Sequence, residues 1–245
     1  MIDFTRPPVT ETMLGAWFSP LLWNASLLGL YRDEIRDEYP HYEDAMPVVG
    51  GVGVTLFPAL QRGLYFSEGR DLLVQLQPTM FYLNWRRLGP HEPYPRYRPQ
   101  RDRFIREWER FQGFLAREMV PLPIVAECQV SYVNHIEIPD GKTQGEVLVG
   151  FLSGASPRLL VEAKQLNFTG VYATEGGTNL NVQAIPALRA SDNRSMVQFT
   201  LTANCSPKGA EAGAVAAALD RAHDELIDSF LSLTSDEARQ AWGQK

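Results

Sequence analysis

The sequence predicts an α+β fold in which one antiparallel sheet carries two long helices on one face. Three observations support this prediction. Short segments alternate between apolar and polar residues, as strands do, and two long segments carry apolar residues three and four positions apart, as helices do. This pattern begins again after about 115 residues, so that two similar halves, about 1–120 and 121–245, each have the order strand, helix, strands and long helix.

In the first half, the alternating segment Val9–Phe18 predicts a strand. A helix is expected from Ala25 to Glu38, capped by Asn24 and ended at Tyr39 because the residue before a proline resists helical geometry. A second helix is expected from Arg101 to Glu118. Its apolar stripe consists of Phe104, Trp108, Phe111 and Leu115. Between the helices, short strands bounded by glycine or proline are expected at Val52–Phe57, Leu64–Phe66, Leu72–Gln77 and Met80–Trp85.

The second half repeats this order, with a strand from Val125 to Ile136 and a short helix from Thr143 to Leu152. The last long helix is expected from Ala212 to Leu231, followed by a final turn that Ser235 caps and Gly243 closes. Its apolar stripe consists of Leu219, His223, Leu226 and Phe230. Strands are expected at Leu159–Leu166, Gly170–Thr174, Leu180–Ile185 and Met196–Ala203, with a tight turn at Gly176-Gly177.

The two halves align with a nearly constant offset. Glu11 aligns with Glu127, 116 residues later, and Phe104 aligns with Leu219, 115 residues later. Chance alignment of generic patterns is the alternative explanation. We expect a single domain over residues 1–245, built of two related halves, which resembles the duplicated saddle fold of TATA-binding proteins. The alternative architecture is a helix-grip fold, in which the sheet wraps around a single long helix.

The composition of the chain limits where in the cell the protein is expected and which metal sites it can form. The chain has 245 residues and a net charge of −6, and its start lacks a basic-then-apolar signal segment. Two cysteines cannot form a disulfide framework or a four-cysteine zinc site. No apolar run approaches the roughly 20 residues that span a bilayer. The sequence therefore predicts a soluble, cytoplasmic protein with no membrane partner.

The sheet face opposite the helices is predicted to be rich in amides and hydroxyls. Its residues are Gln75, Gln77, Asn181, Gln183, Gln198, Thr200 and Thr202, and only Glu162 and Lys164 add charge. Uncharged polar groups cost less to desolvate than charges, so a partner can cover such a face. The pattern predicts a protein-binding or self-association surface, and an ordinary solvated sheet is the alternative.

A segment rich in arginine, residues 86–110 and called the arginine segment below, contains eight arginines and four acids. The ligand-binding candidates in it are Arg86, Arg87, Tyr94, Arg96, Tyr97 and Arg98, with Trp85 as a further stacking candidate. Guanidinium groups suit phosphates and aromatic faces can stack a base, so the segment predicts a site for a phosphate-bearing ligand or single-stranded nucleic acid. The alternative is a solvated helix face with the intrahelical pairs Asp102–Arg106 and Glu107–Arg110.

Several segments of the sequence are informative when they are taken together, although no single one of them is specific. They are Leu73-Val-Gln-Leu-Gln-Pro78, Asn84-Trp-Arg86, Tyr94-Pro-Arg-Tyr97, the segment from Glu127 to Ile136 with Val133-Asn-His135, and an ending with His223, Phe230-Leu-Ser-Leu-Thr234 and Trp242-Gly243. In these pieces the sequence resembles the sporadically distributed bacterial family of uncharacterised proteins, over nearly the whole chain. The resemblance implies no established activity or cofactor, and it transfers no catalytic residue.

Catalytic and metal-binding motifs are scarce. The four histidines form no HExxH pair, and no cysteine lies near one in sequence, so no metal or cofactor is expected. His223 on the apolar helix stripe is expected to be a hydrogen-bonded core residue. The catalytic candidates are His135, at a strand end, with Glu127 or Glu137 as its partner.

Three hypotheses on function follow, in this order. The first is a non-catalytic binding or assembly module that uses the amide-rich sheet face. The second is recognition of a phosphate-bearing ligand or single-stranded nucleic acid by the arginine segment. The third is an enzyme centred on His135, and on balance the sequence favours a protein that is not an enzyme.

Overall fold

The computed structural model describes residues 4–21, 25–46, 62–89, 92–152, 163, 166–174, 177–189 and 192–244. The expected strand Val52–Phe57, the cap Asn24 and the turn residue Gly176 fall outside these residues, as do Glu162, Lys164 and nearly all of Leu159–Leu166.

Nine strands and five helices lie within the described residues. The strands are β1 Val9–Phe18, β2 His41–Ala45, β3 Arg62–Phe66, β4 Leu72–Gln77, β5 Met80–Arg86, β6 Val125–Glu137, β7 Phe168–Ala173, β8 Thr178–Leu188 and β9 Ser195–Cys205. The helices are α1 Ala25–Ile35, α2 Tyr97–Arg117, α3 Gln144–Phe151, α4 Ala212–Leu233 and α5 Asp236–Ala241. The strands form one large antiparallel sheet in the order β2-β3-β4-β5-β1-β6-β9-β8-β7, which confirms the predicted α+β class.

The chain forms two compact units. Unit 1 comprises Met1–Thr12, Val130–Asn204 and Arg221–Lys245, and unit 2 comprises Met13–Gln129 and Cys205–Asp220. None of the helices in the described part of the chain is both long and apolar enough to cross a membrane.

The core of unit 2 is aromatic. Phe81 of β5 packs against three rings of α2, with centroid distances of 5.8 Å to Phe104, 5.8 Å to Trp108 and 5.1 Å to Phe111. Tyr31 of α1 reaches the same helix and lies 5.6 Å from Phe111. The predicted stripe of α2 is fully buried, which confirms it. These contacts fix α2, and with it the second half of the arginine segment, against β5.

The core of unit 1 is built in the same way around Phe199 of β9. Its ring centroid lies 5.3 Å from Phe151 of α3 and 6.3 Å from Phe230 of α4. His223 on the same face of α4 accepts or donates a 2.9 Å hydrogen bond between its Nδ1 and the hydroxyl of Tyr132. His223 is hydrogen-bonded as predicted, but it is half-buried rather than a fully buried core residue.

The bounds of α2 and α1 differ from the predictions. Helix α2 begins at Tyr97, four residues before the expected start, although it contains Pro99. Proline is tolerated in a first helical turn because its missing N–H would have no intrahelical partner there. Helix α1 ends at Ile35 rather than Glu38, and the chain from His41 to Ala45 forms the unpredicted strand β2.

Candidate functional site

The arginine segment forms part of the wall of a cleft in unit 2. The cleft has a volume of about 850 Å³, which lies within the range of about 300–1,000 Å³ typical of small-molecule sites. Its apolar lining is Leu72, Leu83, Trp85, Leu88, Pro93, Pro95 and Pro99. Its polar lining includes Asp71, Glu92, Gln100, Asp102, Arg103 and Arg106. The loop after β5, the first half of α2 and the turn between β3 and β4 therefore meet at one place.

The rings of Trp85, directly before the arginine segment, and Tyr94, within it, pack against each other and against two arginines. The ring centroids of Trp85 and Tyr94 are 5.6 Å apart. The guanidinium of Arg87 lies 5.9 Å from the Trp85 ring, and that of Arg96 lies 5.8 Å from the Tyr94 ring. Such cation–π contacts hold the predicted ligand-binding residues in fixed positions beside the cleft.

Arg96, directly before α2, has a strained backbone. Its φ of 69° and ψ of 161° lie in a region that is nearly exclusive to glycine and costs about 1–3 kcal/mol for other residues. The side-chain amide of Gln100 donates a 3.1 Å hydrogen bond to the Arg96 carbonyl oxygen, which helps to hold this conformation. Strain of this kind persists where the surrounding structure over-determines it, and it often marks a ligand site.

The other predicted ligand-binding residues lie in different surroundings. Arg87 is half-buried, and burial lowers the pKa of its guanidinium. Its Nε atom is buried without a hydrogen-bond partner among the described residues. Arg98 is exposed on α2, and Arg86 donates its backbone N–H to the carbonyl oxygen of Asp71 at 2.8 Å.

Tyr97 connects the start of α2 to α4 and is not a binding residue on the surface. The residue is buried, and its hydroxyl donates a 2.9 Å hydrogen bond to the Oδ1 atom of Asp220. Arg101 reaches the Oδ2 atom of the same carboxylate at 2.8 Å. These two contacts attach the start of α2 to the part of α4 that belongs to unit 2, so the Tyr97 ring does not offer a face for stacking.

Five arginines of α2 are paired with carboxylates, namely Arg101, Arg103, Arg106, Arg110 and Arg117. Arg103 and Arg106 lie 3.7 Å and 3.4 Å from the Glu38 carboxylate, and Arg110 lies 3.6 Å from Glu34. Glu38 follows α1, so the acid partners come from outside the helix as well as from within it. The interpretation of this part of the segment as an ion-paired surface is thus supported, although with partners other than those expected from helical spacing.

Glu107 is a buried acid in this region. Only 1% of its side chain is exposed, and its Oε1 atom lies 3.3 Å from Arg106. Burial, and to a lesser extent the negative charge of Glu38, raises the pKa of the Glu107 carboxyl above its ordinary value. The spacing that suggested an exposed Glu107–Arg110 pair did not reveal this burial.

The three carboxylates that line the cleft are each held by a neighbour. Asp102 pairs with Arg101 at 2.9 Å, and Glu92 accepts a 2.7 Å hydrogen bond from the backbone N–H of Leu88. Asp71 accepts a 2.9 Å hydrogen bond from the hydroxyl of Ser67. Of these contacts only that of Asp102 is with a cation, and the hydrogen bonds to Glu92 and Asp71 hold their carboxylates in place without removing the charge.

The amide-rich face is only partly open. Gln75 and Gln77 are buried, so the expectation that they face water is wrong for this pair. The side-chain nitrogen of Gln75 donates a 2.8 Å hydrogen bond to the Oδ1 atom of Asn84, and that of Gln77 donates at 3.0 Å to Thr79. In unit 1, in contrast, Asn181 is exposed.

The catalytic candidates do not form an acid–base pair in the described structure. His135 is half-buried, and burial lowers the pKa of its imidazole, while Gln198 and Glu11 oppose this shift. Glu137 lies 2.7 Å from Arg189 in an ion pair. Glu127 is eight residues from His135 on the same strand, about 27 Å at the rise of a strand. Among the described residues there is also no group of three potential ligands that could hold a metal ion.

The sequence interpretation missed the cleft itself. None of the six predicted ligand-binding residues is among the residues that line the cleft. The arginines of the lining are Arg103 and Arg106, which were not ligand-binding candidates, and the turn around Asp71 completes it. The available signal was the run of prolines before α2, which indicated a preformed loop but not the surface against which it packs.

Comparison with protein-family models gives no match, and comparison with curated proteins gives none either. A solved structure described as "KH domains" is similar over 97% of this chain and 87% of that chain, with 10% sequence identity and a TM-score of 0.25. A TM-score of this size carries no argument on fold or function.

Proposed function

We propose that the chain is a non-catalytic binding protein and that the cleft in unit 2 holds a small ligand with a planar ring and an anionic group. The observation that carries this proposal is that Trp85, Arg103 and Arg106 line the same cleft. Trp85 is only 5% exposed, so it adds a small part of its ring to an apolar wall that also contains Leu83 and Pro93. An apolar wall favours a flat, weakly polar ring, and guanidinium groups favour phosphate or carboxylate oxygens.

The packing of the loop supports a preorganised site. Trp85 is almost fully buried, and Tyr94 and Arg87 lie against it. Residues that are ordered before binding lose little entropy when a ligand arrives. The strained backbone of Arg96, at the junction of loop and helix, is in keeping with a site held in one conformation.

The position of the aromatic residues favours a small ligand over a single strand of nucleic acid. A strand needs several ring faces on which successive bases stack. Here Trp85 and Tyr94 pack against each other, and Tyr97 is buried. We therefore propose a nucleotide-sized ligand and treat an oligonucleotide as an alternative outcome of the test.

The test is a calorimetric titration with adenosine 5′-monophosphate, which has both a planar ring and a phosphate, and with a short single-stranded oligonucleotide. Arg103→Gln removes a cleft guanidinium and is expected to weaken binding of the monophosphate about tenfold, the loss of a charge-assisted hydrogen bond. Arg117→Gln is the matched control, because Arg117 is on the same helix and pairs with Glu34 at 2.7 Å outside the cleft. Equal effects of both substitutions, or tighter binding of the oligonucleotide than of the nucleotide, would contradict the proposal.

A second candidate function rests on the uncharged surface of unit 1. Val171 of β7 is 73% exposed and faces the exposed Asn181 of β8 in the antiparallel register. Thr169 and Gln183 form the next such pair along the two strands. We propose this surface as the part of the amide-rich face that is available for self-association or a protein partner.

We also propose that the chain arose by duplication, with the TATA-binding-protein-like saddle as its architecture. Helix α4 starts 115 residues after α2, and β9 starts 115 residues after β5. Strand β6 starts 116 residues after β1, and these two strands are neighbours in the middle of the sheet order. Membership of the sporadically distributed bacterial family remains a proposal on the sequence pieces quoted above.

A further inference from the structure

Glu38 contacts the two arginines of the cleft from outside it. Its Oε2 atom lies 3.7 Å from Arg103 Nη1 and 3.4 Å from Arg106 Nη2, and its Oε1 atom lies 3.5 Å from Arg110 Nη1. Arg103 and Arg106 line the cleft, whereas Glu38 does not belong to the lining. One carboxylate is therefore shared among three guanidinium groups.

These ion pairs are weak by their geometry. Charge-assisted hydrogen bonds between guanidinium and carboxylate groups are typically about 2.7–2.9 Å long, and all three contacts of Glu38 are longer. The Glu38 side chain is 43% exposed, so water screens the attraction further. A stronger anion can therefore replace Glu38 at Arg103 and Arg106.

We propose that Glu38 is a resident counter-anion of the cleft, and that the ligand carries a phosphate monoester which displaces Glu38 from Arg103 and Arg106. The inference rests on the proposed function and names the anionic group of its ligand. A phosphate monoester carries nearly two negative charges and three acceptor oxygens, whereas a carboxylate carries one charge and two oxygens. Two neighbouring guanidinium groups therefore favour the phosphate.

The surrounding contacts allow this exchange. Arg106 keeps its 3.3 Å contact with the buried Glu107, which holds the arginine in place when Glu38 leaves. Glu38 keeps Arg110 as a partner, so its carboxylate does not become an unpaired charge. The exchange forms and breaks only ion pairs.

The test compares Glu38→Gln with the matched control Glu34→Gln. Glu34 is an acid of α1 that pairs with Arg110 and Arg117, neither of which lines the cleft. Both variants and the wild-type protein are titrated with adenosine 5′-monophosphate and with adenosine, and circular dichroism confirms folding. If Glu38→Gln does not fold, Glu38→Ala takes its place.

Removing the competing carboxylate is expected to tighten binding of the monophosphate about fivefold, the size of an exposed ion pair, and to leave adenosine binding unchanged. Glu34→Gln is expected to have no such effect. Unchanged or weaker binding of the monophosphate by Glu38→Gln, with normal binding by the wild-type protein, would overturn the inference and leave the proposed function standing. Absence of binding of either probe by all of the proteins would instead overturn the proposed function.

Discussion

At the scale of single residues, Glu107 has an unusual environment for an acid. Its side chain is 1% exposed, its Oε2 atom is buried without a hydrogen-bond partner among the described residues, and burial raises its pKa. A raised pKa of an acid means that the folded state binds a proton at this group more tightly than the unfolded state does. The charge of Glu107 therefore costs stability at neutral pH, and this cost disappears as the pH falls toward 4.5, the ordinary value.

Glu107→Gln removes this charge and keeps the shape of the side chain. Because Arg106 is half-exposed and retains Glu38, no buried charge is left alone. We expect the free energy of unfolding at pH 7 to rise by about 1 kcal/mol. Urea denaturation at several pH values is expected to show that the difference in the free energy of unfolding between the variant and the wild-type protein becomes smaller as the pH is lowered. A difference in the free energy of unfolding that stays constant or grows at low pH would contradict this account of Glu107.

Residue burial was predictable where periodicity is unbroken, and not where polar residues pair with each other. The apolar stripe of α2 follows directly from its spacing, because only one face of a helix can meet the sheet. Gln75 is polar, so the alternation along its strand suggested that it faces water, yet it donates a 2.8 Å hydrogen bond to Asn84 and both residues are buried. A single sequence does not reveal such pairs, because the partners come from different strands.

At the scale of elements, the start of α2 is defined by Arg96. Its positive φ suits glycine, so Arg96→Gly and Arg96→Ala lose the same guanidinium but differ in backbone strain. The glycine variant is expected to be more stable than the alanine variant by about 1 kcal/mol, which thermal or urea denaturation measures directly. An alanine variant that is as stable as the glycine variant would show that the junction before α2 is relaxed.

Elements were predictable where local signals and packing agree. Helix α3 follows Thr143, which accepts a 3.1 Å hydrogen bond from the N–H of Glu146 in a capping box, and its bounds match the expectation closely. Strand β2 was missed, because its sequence His41-Tyr-Glu-Asp-Ala45 does not alternate between apolar and polar residues. It forms by antiparallel pairing with β3, a long-range contact that no local pattern reports.

At the scale of the whole molecule, the uncharged surface of β7 and β8 bears on the oligomeric state. Asn181→Lys places a charge in the middle of this surface, and burying an unpaired charge against a partner is costly. If the surface mediates self-association, the variant is expected to be monomeric at concentrations at which the wild-type protein is a dimer. Light scattering coupled to size-exclusion chromatography measures this difference.

Ala116→Lys is the matched control for this experiment, since Ala116 is an exposed residue of α2 in unit 2. A monomeric wild-type protein, or a dimer that survives Asn181→Lys, would exclude self-association through this surface. The sequence placed uncharged residues there by alternation, but it did not show which part of the face stays open.

The candidate site shows the same division between local and long-range information. The proline-rich loop and its arginines are visible in the sequence, because both are local features. The cleft requires the turn near Asp71 to lie beside the first half of α2, and that proximity arises only when β4 and β5 pair. The sequence therefore indicated the proline-rich loop and Trp85, but neither the shape of the cleft nor the two arginines, Arg103 and Arg106, that line it.

The central claim is that the cleft beside Trp85 is where the ligand binds, and nitrogen-15 NMR of the indole N–H groups tests it most directly. The chain has five tryptophans, so five indole signals are expected, and Trp85→Phe assigns the relevant one. On addition of adenosine 5′-monophosphate, the Trp85 signal is predicted to shift while that of the buried Trp108, whose indole donates to the Ala210 carbonyl at 2.9 Å, stays in place. An unchanged Trp85 signal at a concentration that saturates binding would contradict the account.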